Sequence, residues 1–219
     1  MKILIFGKSD IGDGVSQIYP DTVNISKEEC DVRDEKQISN ILKKYNPDVI
    51  INCAGISHVQ VVKNSNIEKW KEEIEVNLIG SYLIARESIA QSMFRPMIFI
   101  ASVAGMYGKP EHSGYSASKS GVISFVQSLG MEGYPAYSIS PGRVDTKMRE
   151  KDYPGEDVRT RLSTIQVAEV IQECIDGKFN PGDNIIIRKR GFRKLKRIDV
   201  GQPWKQYLNV QPLGTPKTI

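Results

Sequence analysis

Residues 99–119 read FIASVAGMYGKPEHSGYSASK. The apolar run from Met97 to Ala101 predicts a buried strand that ends in Ser102, and after a glycine-bearing loop a helix carries Tyr115 and Lys119. Residues four apart share a helix face, so the phenol and the ammonium can meet. A free phenol titrates near ~10, and a cation beside it favours the phenolate, bringing the group nearer to proton exchange at neutral pH. The Ser102 hydroxyl could orient a carbonyl oxygen against the same phenol. Tyr and Lys at this spacing also occur on solvated helix faces, so the pairing draws its weight from the rest of the chain.

Working upstream, Asp48 to Gly55 reads DVIINCAG and Ile3 to Phe6 form a wholly apolar run ending in Gly7. Such runs suit parallel strands covered on both faces. After the first comes GKSDIGDG, with glycines at 7, 12 and 14, a turn whose backbone amides and following helix N-terminus can receive a pyrophosphate. Asp10 would oppose such an anion, or else cap the helix, with Lys8 offsetting its charge. Residues 15–19 leave room for little more than one helical turn before Pro20, and residues 22–25 can be a second strand. Asp34 and Gln37 cap a helix with Ile38, Ile41, Leu42 and Tyr45 on one face, ended by Pro47. Ser65 and Glu68 form a capping box for a long helix reaching Met93, with Asn77 beside its apolar stripe.

Downstream, the Tyr115 helix continues through Leu129 to Gly130, which reads as its C-cap. Residues 137–140 predict a strand, 147–163 a charged substrate-covering loop or short helix, 164–175 a helix, and 182–187 the last strand. Strands alternating with helices predict a doubly wound, mostly parallel α/β sheet in a single domain over residues 1–190. Residues 188–197, RKRGFRKLKR, hold seven basic residues in ten and lead into a basic C-terminal extension over 191–219. This run reads as a solvated face or subunit contact, or as a site for an anionic substrate or polyanionic surface. Nothing in it resembles a nucleic-acid-binding motif.

A chain of 219 residues with 40% hydrophobic and 26% charged residues suits one globular domain with a substantial core. No stretch reaches membrane-helix length and MKILIFG meets a glycine too soon for a signal peptide, so a cytoplasmic protein is expected. Cys30, Cys53 and Cys174 are odd in number and lack ligand spacing, so neither a disulfide scaffold nor a metal site is indicated. His58 and His112 read as loop residues, and His112, just before the Tyr115 helix, is placed to face substrate.

The set Ser102-x-x-Gly105, Tyr115-Ser-Ala-Ser-Lys119, and Pro141-Gly142 with Thr146 beyond, taken with a Ser-to-Tyr spacing of thirteen residues, resembles the compact single-domain branch of the short-chain dehydrogenase/reductase family over roughly residues 1–190. The resemblance implies that Tyr115 is the general acid/base, that Ser102 orients the carbonyl, and that Lys119 holds the ribose and lowers the Tyr pKa. It implies that Asn77 holds a water in a proton relay; the residues alone also allow a core Asn bonded to the adjacent loop. It places the cofactor on Gly7, Lys8, Asp10, Ile11 and Gly12, on the pair Asp31 and Val32 bracketing adenine, and on Asn52, Ala54 and Gly55. Pro141, Gly142, Val144 and Thr146 would wrap the nicotinamide. The glycine turn departs from the family at Phe6 and Asp10, and the region up to the second strand is shorter than usual, which implies a more open adenosine side.

An acid directly after the second strand would take the ribose hydroxyls, whereas basic groups there take a 2′-phosphate. Ser26 and Lys27 stand at that point, with Lys8 near, so NADP is expected over NAD. The family implies hydride transfer with a small carbonyl or alcohol substrate, and a homodimer or homotetramer paired through the two long helices. Two alternatives stay open: a nucleotide-sugar reductase or epimerase of the longer branch, and a non-catalytic NADP-binding sensor or scaffold.

Overall fold

In the computed structural model, residues 1–189 and 198–199 are described. Seven strands form one sheet: β1 (Ile3–Phe6), β2 (Val23–Ile25), β3 (Val49–Asn52), β4 (Met97–Ile100), β5 (Ala136–Pro141), β6 (Asn184–Ile187) and β7 (Ile198–Asp199). Their order is β2-β1-β3-β4-β5-β6-β7. β1 to β6 run parallel and β7 lies antiparallel on β6. Of the basic run, only Arg188 and Lys189 have described side chains, so the expected role of its remainder falls outside the described residues, as does that of the C-terminal extension apart from the backbone of Ile198 and Asp199 in β7.

The helices are α1 (Asp10–Ile18), α2 (Glu35–Tyr45), α3 (Ile67–Ile74), α4 (Gly80–Ala90), α5 (Ser113–Met131), α6 (Lys147–Asp152) and α7 (Thr164–Ile175). Alternation along the strands divides the core. Leu4 and Phe6 of β1, Ile50 of β3, and Met97 and Phe99 of β4 pack on the side that also buries Ile38, Ile84 and Val122 of α2, α4 and α5. Ile3 and Ile5, Val49 and Ile51, and Ile98 face the other way, onto Val15 of α1 and Val167 and Ile171 of α7. Successive strand side chains point to opposite faces, and burying each large aliphatic side chain contributes about 1.5–3 kcal/mol, so both helix layers are held by the same short strands.

The strand order reverses at β1: the chain passes from β1 by way of α1 to β2 on one side, and returns by way of α2 to β3 on the other. A crevice therefore opens at the carboxyl ends of β1 and β3. Gly7 makes this junction possible: it has φ +85°, and a Cβ there would lie 2.4 Å from the Ala54 backbone. Beyond β1 on that side stands only the three-residue β2, which agrees with the shortened adenosine side read from the sequence.

Several boundaries differ from expectation. α1 begins at Asp10, five residues before the run read as helical, and its N-cap is Ser9, whose hydroxyl accepts from Gly12 N. Asp10 thus does not cap its own helix. Asn66, not Ser65, caps α3, accepting from the amides of Glu68 and Lys69. The long helix is interrupted by a π-helical turn, Glu75–Ile79, before continuing as α4 to Ala90. Gly130 is not a C-cap: α5 runs past it to Met131, and a Cβ at Gly130 would strike the Gly182 backbone at 2.4 Å.

Candidate active site

β4 ends at Ile100, and Ser102 two residues on caps a 3-10 turn, Val103–Gly105, accepting from Ala104 N at 3.1 Å. Gly105 lets that turn rest on α5, since a Cβ there would lie 2.6 Å from the Lys119 carbonyl carbon. This is the physical content of the Ser-x-x-Gly motif: the glycine brings the serine loop down on the helix that carries Tyr115. The Ser102 hydroxyl stands close enough to the phenol to bear on its titration.

Burial pushes the Tyr115 phenol up to about 12, while Ser102 pulls it the other way. The net shift is upward, so in the protein alone burial outweighs the groups that lower the phenol. Lys119, 4% exposed, donates to the carbonyl oxygen of Ile100 at 2.7 Å, with its Nζ 5.7 Å from the centre of the Tyr115 ring. Burial lowers its ammonium to about 8.

Asn77 lies in the π-helical turn, fully buried. Its Oδ1 accepts from Ile56 N at 2.8 Å, and its Nδ2 donates to Ile56 O and to Ser118 Oγ, both at 3.0 Å. These are the contacts of a core Asn bonded to the adjacent loop, and they join that loop to α5 one residue before Lys119. A Cβ on Gly55 would sit 3.3 Å from Lys119 Nζ and 3.4 Å from Asn77 Oδ1, so a side chain here would need these neighbours to give by a few tenths of an ångström. Asn52 is likewise occupied within the core, donating to Ser81 Oγ at 2.9 Å and accepting from Ala54 N at 3.0 Å.

The other expected cofactor residues have these surroundings. The amides of Gly7 and Lys8 both donate to Ile25 O, closing the turn onto β2. Gly12 is buried under Asn24, whose Oδ1 would lie 2.7 Å from a Cβ. The Asp10 carboxylate accepts from Lys147 N at 2.7 Å. Asp31 is held to about 2 chiefly by its bidentate hydrogen bonds from Arg33, and Val32 packs under Gly80. Lys8 and Lys27 are exposed, and both act on the Glu28 carboxyl, which Ser26 first of all holds below its usual range. An acid thus faces the two lysines expected to favour NADP.

A cavity of about 830 Å³ opens beside Tyr115 and Ser102, walled also by Ile11, Pro141, Gly142, Val144 and Thr146. Thr146 caps α6, accepting from Arg149 N at 3.1 Å, and α6 forms the outer wall. Three features were not found from the sequence. Glu73, 1% exposed, accepts from His58 N at 2.7 Å and lies against the start of α5, where a Cβ on Gly114 would meet its Oε2 and where the N-cap His112 makes no side-chain cap. His112 Nδ1 lies 2.9 Å from Pro110 O and therefore carries the proton, which leaves Nε2 to accept from Tyr153 Oη at 3.0 Å. Arg161, 2% exposed, gathers Asp145 at 3.0 Å, Glu150 at 2.7 Å and Glu156 at 3.3 Å.

A family model described as short chain dehydrogenase matches residues 9–157. The chain belongs to the short-chain dehydrogenase family. A 3-oxoacyl-[acyl-carrier-protein] reductase from Synechocystis is 33% identical over 125 residues, covering 53% of this chain and 50% of the relative. An NAD-dependent glycerol dehydrogenase from Listeria innocua is 32% identical over 168 residues, covering 70% and 65%. The chain thus spans about half to two-thirds of the length of these relatives. A 3-oxoacyl-[acyl-carrier protein] reductase from Brucella melitensis superposes with a TM-score of 0.74 at 21% identity, over 88% of this chain and 91% of that one. ElxO with NADP bound gives 0.72 at 20% over 84% and 96%. At these identities the structural likeness establishes the fold. Among the described residues no helix is long and apolar enough to cross a membrane, and no three His, Cys, Asp or Glu side chains form a metal ligand set.

Proposed function

We propose that the chain is a nicotinamide-dependent oxidoreductase that interconverts a carbonyl and an alcohol. The observation that carries this is the Tyr115 phenol and the Ser102 hydroxyl together on the wall of the cavity, with the Lys119 ammonium buried behind the ring. The crevice residues fit a dinucleotide: the Gly7–Ala54 close approach and the side-chain-free Gly55 leave room for a ribose, and the first-turn amides of α1, which no intrahelical carbonyl reaches, face an anion. Thr146 and Ile11 line the part of the cavity suited to a carboxamide.

The nicotinamide supplies the hydride when bound. Ser102 Oγ and Tyr115 Oη together hold the carbonyl oxygen, and Tyr115 gives it a proton as negative charge develops there. Burial keeps the phenol protonated at neutral pH, which is the form needed for reduction. The Lys119 ammonium then stabilises the tyrosinate left behind. Asn77 positions this machinery by fixing the loop of Gly55 and Ile56 and the Ser118 turn of α5. NADP is the favoured cofactor on account of Lys8 and Lys27. A homodimer or homotetramer is proposed through the α4 and α5 faces, where Tyr82 and Met131 are 45% and 49% exposed. The test is a screen of small aldehydes and ketones with NADPH and NADH: absorbance loss at the nicotinamide band that vanishes in Tyr115→Phe is the expected result, and turnover indifferent to that substitution would remove the assignment.

A further inference from the structure

The wall of the cavity is unevenly charged. Six basic side chains line it, Lys109, Arg143, Arg149, Arg159, Arg188 and Lys189, against the three acids Asp152, Glu156 and Asp157. Glu156 and Asp157 are already engaged. Glu156 takes Arg149 at 2.8 and 2.5 Å, Arg143 at 3.3 Å and Arg161 at 3.3 Å. Asp157 takes Arg159 at 2.8 Å, and Asp152 lies 4.0 Å from His112 Nε2. Lys109 and Arg188 instead meet aromatic faces: Lys109 Nζ is 4.1 Å from the centre of the Tyr153 ring, and the Arg188 guanidinium 5.2 Å from that of Tyr107. Arg188 Nε is buried with no hydrogen-bond partner among the described residues. Burial, and then Arg149, hold the Lys109 ammonium below its usual range against the opposing pull of Asp152 and Glu156.

Cofactor phosphates do not account for this surplus. Of the glycine turn only Ile11 reaches the cavity wall, and Lys8 and Lys27 lie outside it. The excess charge belongs to the substrate side, on α6, the loop before α5 and the segment after β6. We infer that the substrate carries an anionic group, a carboxylate or a phosphate, held by Lys109 and Arg188 on the wall that also bears Tyr115 and Ser102. Charge-assisted hydrogen bonds are the strong ones, and a cleft lined by one sign of charge concentrates the opposite sign. The flanking rings of Tyr107 and Tyr153 remove water from one side of each cation.

This inference rests on the proposed oxidoreductase reading, and its test separates the two. Matched carbonyl pairs are compared in steady-state kinetics: succinic semialdehyde against butanal, and glyceraldehyde 3-phosphate against glyceraldehyde, so that the two arms tell carboxylate from phosphate. In parallel, succinate, inorganic phosphate and neutral succinamide are titrated calorimetrically into the protein with no cofactor added. The charged member of one pair is expected to have a KM lower by about tenfold, as one charge-assisted contact implies. Lys109→Met and Arg188→Met, each on its own segment, should largely erase that gap and abolish calorimetric binding of the matching anion. Salt at about 0.5 M, where screening acts over a few Å, should narrow it too. Equal KM within both pairs, or a gap that both variants retain, overturns the inference, as does the absence of saturable anion binding. Anion binding lost in both variants from a protein that reduces none of the carbonyls would uphold the anion site and count against the oxidoreductase reading instead.

Discussion

The Asp10 carboxylate accepts a hydrogen bond from the backbone N–H of Lys147 at 2.7 Å, joining the turn after β1 to the N-terminus of α6 across 137 residues. Asp10 and Asp13 both stand in the first turn of α1, where a pyrophosphate would be received, and their charge opposes it. Asp10→Asn keeps an acceptor for Lys147 and removes the charge. It should tighten cofactor binding by about 2–5-fold, the range that about 0.3–1 kcal/mol at a helix N-terminus gives. Fluorescence titration with NADPH measures this, and affinity that is unchanged or weaker would mean that the carboxylate does not face the pyrophosphate.

Tyr115→Phe removes one hydroxyl and keeps a ring that sits edge-on to His112, with centroids 6.4 Å apart. Loss of the proton donor should lower kcat by about 10²–10⁴-fold, with the cofactor dissociation constant nearly unchanged. Comparable losses in both quantities would indicate that the ring, rather than the hydroxyl, is what matters.

Lys119 supplies a pH test. Its folded value is lowered to about 8 from 10.5, so between those values the unfolded chain binds more protons than the folded one. Stability then rises with pH from about 8 to 9, by at most roughly 1.4 kcal/mol per pH unit for one proton. From about pH 9 the gain is offset by Cys30 and Cys53, raised by burial to about 11 and about 12, and above pH 10 also by Tyr115, raised to about 12, since all three release their protons more readily when unfolded. Urea unfolding of wild type and Lys119→Met from pH 8 to 9 should show the rise in the first and a flatter profile in the second. Parallel profiles would place the titration on another group.

For cofactor choice, Lys8→Ala/Lys27→Ala should reduce the NADP-to-NAD affinity ratio by about tenfold, whereas Glu28→Gln should raise it, since the acid competes with a 2′-phosphate for both ammonium groups. Dissociation constants for the two cofactors in all three proteins decide the matter. A ratio that does not move in any of them frees these residues of the role.

The residues that form strands were readable because short, wholly apolar runs between glycines and prolines have few other uses, and α7 falls on residues 164–175 as its pattern predicts. Caps were misread by one position where two competent residues adjoin: Ser9 and Asp10, Ser65 and Asn66. Only backbone direction decides between such neighbours. Gly130 was misread because its purpose is a contact with Gly182, which lies 52 residues on. In the site, Ser102, Tyr115 and Lys119 were legible because they sit at fixed offsets along one strand-loop-helix unit. The pairing of His112 with Tyr153 and the engagement of Asn77 with Ile56 join residues 41 and 21 apart, and no local pattern encodes them.

Arg161 has a kinetic consequence. Its guanidinium holds Asp145 ahead of α6, Glu150 within it and Glu156 beyond it, so the three parts of this outer wall share one anchor. An opening of this wall would therefore move its three parts together rather than residue by residue, and would have to release the contacts of Asp10 with Lys147 and of His112 with Tyr153 at its edges.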